Sequence, residues 1–278
     1  MPQYRSQLKF RHVPAMGLIA AVLGFGITAS AHDFWLQPKS FAVDTATDFA
    51  VDVMIGHPED QMPWSLAPER LIGLRTFGPG PIQDQVQFYE PSDGHLTINV
   101  QEPGLFWLAI ETQDSVSRLE SDRFNDYIDK EGLTAVQLHR IEARTTDDAG
   151  IERYSRRSKA LIAAGQWRER PHDHITDPLG LTLEIIPKIN PMTLDPGAAM
   201  PLEVRYRGKP LAGAKIKTIR LDETDVREPV MTDQNGLAVV EKPIEGQWMY
   251  HVIWGTPLPH SYDQDYDTIF SSMTFSAE

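Results

Sequence analysis

Leu181-Thr182-Leu183-Glu184-Ile185-Ile186-Pro187 decides the fold class. It is a short apolar run rich in residues that fit a pleated surface, and Pro187 closes it, so it reads as a strand and is too short for a helix. Asp177-Pro178-Leu179-Gly180 in front of it is turn chemistry. Downstream, Met200–Tyr206 alternates apolar and polar residues at period two. Gly208-Lys209-Pro210-Leu211-Ala212-Gly213-Ala214 then links it to the run Lys215-Ile216-Lys217-Thr218-Ile219. Thr232-Asp233-Gln234-Asn235-Gly236 predicts a tight turn, because Asn and Gly tolerate positive φ. Leu237–Val240, Gln247–Trp254 and Thr268–Phe275 add further strands. Short strands at this spacing predict a β-sandwich over 178–278.

Working back from that segment, the N-terminal half carries similar signals. Phe34–Leu36, Phe49–Ile55, Gln85–Phe88, His95–Val100 and Leu105–Glu111 are candidate strands. A helical insertion follows. Phe124, Tyr127 and Ile128 have i, i+3, i+4 spacing, Gly132 stops that helix, and Val136, Leu138 and Ile141 continue on a second. Ile151–Ala164 reads as a helix, or as a helix passing into a strand. The polar stretch from Arg168 to His174 and the turn at Asp177–Gly180 suggest a seam. The chain is thus expected to be mainly β, with two β-sandwich domains over 32–175 and 178–278 and the helices inserted in the first.

Residues 1–31 are expected to be a secretory signal. Arg5, Lys9 and Arg11 form a basic start, an apolar stretch runs from Val13 to Thr28, and Ala29-Ser30-Ala31 is a small-x-small cleavage signature. Removing 31 of 278 residues leaves 247, and losing three cations with no acid moves the formal charge from −13 to −16. No later stretch is long and apolar enough to span a bilayer. The mature chain is therefore expected outside the cytoplasm, in a periplasm. The absence of cysteine excludes thiolate metal sites, cysteine nucleophiles and iron–sulfur chemistry. The acidic balance disfavours nucleic acid and anionic lipid as partners.

Several segments, in order, resemble the DUF4198 family of exported proteins: His32-Asp33-Phe34-Trp35-Leu36-Gln37-Pro38, Tyr127–Leu133, Arg153–Leu161, Gly180–Pro187, Gly208–Ala214 and Gly246-Gln247-Trp248. Members of that family are associated with bacterial nickel and cobalt uptake systems. The resemblance implies a second half like transthyretin or a carboxypeptidase regulatory domain, and a membrane metal transporter as partner.

Cleavage after Ala31 would leave His32 at the N-terminus. Its α-amino nitrogen and its own Nδ1 then form a chelate from one residue, with reference pKa values of about 7.7–8.0 and about 6.5. A further imidazole would complete an all-nitrogen set suited to Cu(II) or Ni(II). His251 is the first choice, since it shares one face of a predicted strand with Met249 and Ile253. The resemblance also implies a histidine near that position. His57 ends a predicted strand in Gly56-His57-Pro58-Glu59-Asp60. His172 and His174, at i and i+2, would face one side of an extended segment. Each has a plainer reading: a core histidine, a polar loop, and a solvated linker. Asp263, Asp265 and Asp267 lack the glycine and distal glutamate of a calcium loop. There is no G-x-S-x-G, H-E-x-x-H, P-loop or G-x-G-x-x-G. The leading expectation is a transition-metal carrier for Ni(II) or Co(II), with Cu(II) as an alternative ion. A metal-free structural or carbohydrate-binding module and a copper oxidative enzyme are the other readings.

Overall fold

A computed structural model describes residues 33–277 except 58, 91–93, 224–225 and 261. The expected signal and His32 lie outside the described residues. Strands are numbered β1 to β19 in chain order. The longest, β11 (Gly150–Ala164), β18 (Gly246–Pro257) and β19 (Tyr266–Ala277), form the middle of a ten-stranded sheet. β18 and β19 pair antiparallel over their whole length, and β19 runs parallel to β11. On one side the sheet continues through β15 (Lys215–Arg220) to β16 (Val226–Met231). On the other it continues through β9 (Gly104–Thr112) and β5 (Leu71–Phe77) to β6 (Gln83–Asp84). β10 (Ser115–Leu119) and β2 (Ala42–Val43) also pair with β11.

Each face of this sheet is covered by a different layer. A four-stranded sheet of β12 (Leu183–Pro187), β13 (Ala199–Tyr206), β14 (Lys209–Pro210) and β17 (Leu237–Glu241) covers one. Leu183, Ile185, Leu202 and Val204 from it meet Trp107, Leu161, Trp248, Tyr250, Met273 and Phe275 of the central sheet in the main core. Burying such a side chain contributes roughly 1.5–3 kcal/mol relative to leaving it in water, so this interface dominates the fold. The opposite face meets a five-stranded sheet of β1 (Asp33–Pro38), β3 (Asp48–Gly56), β4 (Met62–Pro63), β7 (Tyr89–Glu90) and β8 (His95–Asn99). Phe34, Leu36, Val51, Val53, Leu96 and Ile98 pack there on Leu108, Ile110, Ala160 and Ile162. Helices α1 (Ser121–Glu131) and α2 (Thr134–Ala143) cover the rest of that face, with Phe124, Ile128 and Val136 against Ile253 and Phe270.

The fold is mainly β and sandwich-like, as the alternating runs predict. Strands from both 32–175 and 178–278 share the central sheet, and Ala31–Glu278 forms one compact unit. The first helix ends where expected, with Gly132 in the left-handed region at φ 71°. Among the described residues no helix is long and apolar enough to cross a membrane.

Two local expectations are corrected. Residues 151–164 are strand throughout, not helix. β11 is central, so its residues from Ser155 onward are buried on both faces and lose the period of two. Arg156, Arg157 and Lys159 masquerade in the sequence as a basic helix face, yet all three are buried. Gln85–Phe88 forms a 3₁₀ turn at Val86–Phe88. The Asp84 carboxylate accepts from Val86 N at 2.9 Å, and the Gln85 amide turns inward to Thr76, which favours a turn over a ladder.

Candidate functional site

β1 positions the site. It crosses the face of β11 and β19 at close range, over the small side chains of Ser158 and Ser272. Leu36 N donates to Ser158 Oγ at 3.0 Å, Ser272 Oγ donates to Ser158 Oγ at 2.8 Å, and Thr274 Oγ1 donates to Leu36 O at 2.8 Å. Anchored this way, β1 divides two environments. Phe34 and Leu36 enter the core beneath the five-stranded sheet, so the alternate residues Asp33, Trp35 and Gln37 point to the other side. There they meet one face of β18: the Gln37 amide bonds to Gln247, Trp35 packs with Met249, and Asp33 meets His251.

His251 is fully buried. Its Nδ1 stands 3.0 Å from Asp33 Oδ1, but the two are not aligned as a hydrogen bond, and among the described residues neither ring nitrogen has a hydrogen-bond partner. A buried polar group without a partner costs about 1–3 kcal/mol, so an arrangement of this kind is uncommon without a reason. Phe270 lies beside the imidazole at 6.3 Å between ring centroids. Register places His251 opposite Lys217 on β15 and Ser272 on β19. The Lys217 ammonium pairs with Glu131 at the end of α1.

His57 approaches the same carboxylate from β3, with Nδ1 3.6 Å from Asp33 Oδ2. The ladder pairs Asp33 with Gly56, and Gly56 turns the chain at φ 128°. A Cβ at Gly56 would lie 2.8 Å from the backbone of Gln61, so only glycine fits there. Asp60 Oδ1 accepts from His57 N at 2.7 Å and fixes the turn. The His57 side chain is 35% exposed and that of His251 0%, so His57 forms the rim and His251 the floor.

Electrostatics separate the two imidazoles. Complete burial holds His251 below its ordinary value against the pull of Asp33, which leaves the ring neutral near pH 7. Contact with the Asp33 carboxylate and its charge raise His57 above its ordinary value. Burial opposes ionisation of Asp33, but the positive charge available on His251, the His57 contact and the Lys217 ammonium outweigh it and hold the carboxyl below its ordinary value. The result is a buried anion between two imidazoles.

Of the sequence-predicted residues, the structure brings together His57 and His251. His172 and His174 are elsewhere. They lie just ahead of Ile175, which packs in the core on the opposite face of the central sheet. The segment from Asp173 to Thr176 is a 3₁₀ turn, not an extended run. His174 Nε2 meets Leu105 O at 2.9 Å, and the Asn190 amide meets His172 Nδ1 at 3.1 Å. His32 lies outside the described residues. Sequence reasoning did not single out Asp33, Lys217 or Glu131. For Asp33 a signal existed: one acid ahead of the apolar run Phe34-Trp35-Leu36 on a buried strand. Among the described residues no group of three or more His, Asp or Glu side chains is arranged to hold an ion by itself. The two imidazoles are thus at most part of a ligand set.

A model of the family described as "Domain of unknown function (DUF4198)" matches residues 29–256. No curated protein matches the chain. Among solved structures, the D0-D1 domain of intimin is 8% identical with a TM-score of 0.21, over 86% of this chain and 96% of that one. A Salmonella alpha-2-macroglobulin mutant is 11% identical with a TM-score of 0.23, over 94% of this chain and 16% of that one. The human OSCAR ligand-binding domain is 10% identical with a TM-score of 0.20, over 86% and 95%. Likenesses this weak carry no argument about function. The family match spans most of the sequence, and the chain belongs to the DUF4198 family.

Proposed function

We propose that the mature protein is an exported, periplasmic carrier that binds a transition-metal ion, Ni(II) or Co(II), as cargo for an uptake system. The binding point is the N-terminal end of β1. The observation that carries this reading is His251: a fully buried imidazole whose nitrogens have no hydrogen-bond partner among the described residues, beside the carboxylate of Asp33. Asp33 follows His32 directly in the chain.

The donor set fits a metal. A ligating imidazole must be neutral, and burial keeps His251 so. His57 supplies a second ring from the rim. After cleavage behind Ala31, His32 would contribute its α-amine and Nδ1, completing a nitrogen-rich set of the kind that suits Ni(II) and Cu(II). Asp33 would offset part of the ion's charge in a site that is otherwise costly for a cation. The intact transporter is the expected recipient of the cargo.

The test is a titration of two forms of the chain with Ni(II), Co(II) and Cu(II). One begins at His32 and the other retains Ala31. The first is expected to bind at least tenfold more tightly, because only it has the chelating amine. Equal affinities, or none, would overturn the reading.

A further inference from the structure

We infer that the protein has a second binding site, for a free α-amino acid, in the cavity between α2 and the hairpin that joins β18 to β19. The ligand's carboxylate would sit on Arg140, and its ammonium group at a mouth formed by Asp148 and Asp265. The cavity measures about 350 Å³ and is lined by residues of α2, of the loop that follows it and of the hairpin. That volume is at the small end of the range of roughly 300–1,000 Å³ found for ligand pockets. The hairpin lies beyond Pro257, the last residue of β18, so the cavity shares no residue with the His251 site.

The floor is cationic. Arg140 is 1% exposed, and so is Tyr266. The guanidinium lies on the Phe124 ring at 5.0 Å from its centre, which helps to take it out of water. Nε donates to Asn125 Oδ1 at 2.9 Å, and Nη2 donates to the carbonyls of Thr146 at 3.2 Å and Asp148 at 2.6 Å. Among the described residues these are its hydrogen-bond partners, and none of them is charged. They fix the guanidinium in place and leave Nη1 unused. The Tyr266 hydroxyl is a further neutral contact, and His139 Nδ1 stands 3.3 Å from the same hydroxyl. A buried charge is costly unless an opposite charge compensates it, and a carboxylate pairs best with the planar fork of a guanidinium.

The mouth has the other sign. Asp148 and Asp265 line the cavity and both are exposed. Asp265 is anchored through Oδ2, which accepts from Ile151 N at 2.9 Å. Asp267, two residues on, pairs instead with Arg153 and Arg207, so these acids do not converge on one ion. A simple anion would meet two carboxylates on entry, and a simple cation would meet a buried guanidinium. A zwitterion with its acid end inward and its ammonium end outward suits both. Leu258 and Tyr262 offer apolar surface to its side chain.

The test uses the chain from His32 onward in metal-free form, so it is independent of the carrier reading. A thermal-shift screen of the standard L-amino acids at about 10 mM finds the tightest ligand, and one with an apolar side chain, such as L-leucine, is expected. Calorimetry then compares that amino acid with the analogue lacking the amine and the analogue lacking the carboxylate, which for leucine are isocaproate and isoamylamine. Each analogue is expected to bind at least about tenfold more weakly, because it leaves one charged group unpaired. Arg140→Met is expected to abolish binding. Arg140 also holds the loop through Thr146 and Asp148, so the folding of this variant is checked by circular dichroism. The exposed pair Asp148→Asn with Asp265→Asn leaves the floor intact and is expected to lose the preference for the amino acid over its amine-free analogue. No shift with any amino acid, equal wild-type affinity for leucine and isocaproate, or a preference unchanged in the Asp148→Asn, Asp265→Asn variant would overturn the proposal.

Discussion

Lys159 and His251 lie on opposite faces of the same ten-stranded sheet, and both are as buried as the hydrophobic residues around them. Lys159 on β11 donates to Glu184 Oε1 at 2.8 Å and sits 4.7 Å from the centre of the Trp107 ring. Glu184 in turn accepts from the backbone N–H groups of Leu179, Gly180 and Leu181. Every strong polar atom there has a partner within the protein. Among the described residues His251 has no hydrogen-bond partner, and its neighbour Asp33 Oδ1 lacks one as well. A closed network tells of architecture: it ties the four-stranded sheet and the turn at 177–181 to the central sheet. An open one is the feature on which the proposed carrier function rests.

The comparison is broken most sharply on the closed side. Glu184→Ala strands an ammonium and three backbone donors, and is expected to cost roughly 3–5 kcal/mol in urea unfolding. Replacing both partners, as Lys159→Met with Glu184→Leu, should recover most of that loss, since two apolar side chains need no partner. A cost below about 1 kcal/mol for the single variant would show that the pair is not the closed network described. Next in size is Ser158→Ala. It removes the acceptor of Leu36 N and the partner of Ser272, and is expected to cost about 1–3 kcal/mol by the same measurement. Metal affinity should fall with it, because β1 and Asp33 would lose their fixed seat.

How much of this was legible in the sequence follows the same division. Local features were: the period-two strands, the helix closed by Gly132, the turn at Asp233–Gly236, and the shared face of Met249, His251 and Ile253. Each depends on residues near one another in the chain. The joining of β11 to β19 was not legible, because parallel pairing between residues more than a hundred positions apart leaves no local mark. It also hid β11 itself, whose buried Arg156, Arg157 and Lys159 look like a wet face until their partners are known. His172 and His174 were conspicuous by spacing, yet they serve local hydrogen bonds. Asp33 was overlooked because its meaning comes from two histidines supplied by other strands.

On the open side, His251→Leu is expected to change the stability of the metal-free protein by less than about 1 kcal/mol, since an apolar group of similar size replaces an orphaned one. The smallest and most diagnostic effects are in pH. Burial lowers the His251 pKa from 6.5, so below that value the unfolded chain takes up a proton that the folded chain resists. Stability should therefore fall as pH drops below about 6.5 and be fully present above it. Contact with Asp33 raises His57 from 6.5, which has the opposite sign: its contribution is complete below 6.5 and is lost as pH rises through the folded value. Unfolding free energies across pH 5–9 for the wild type, His251→Leu and His57→Ala separate the two. The first variant should flatten the acid-side fall that His251 causes, and the second the fall above 6.5. If His251→Leu keeps the wild-type slope on the acid side, the imidazole is not held neutral by its burial, and the contrast with Lys159 loses its basis.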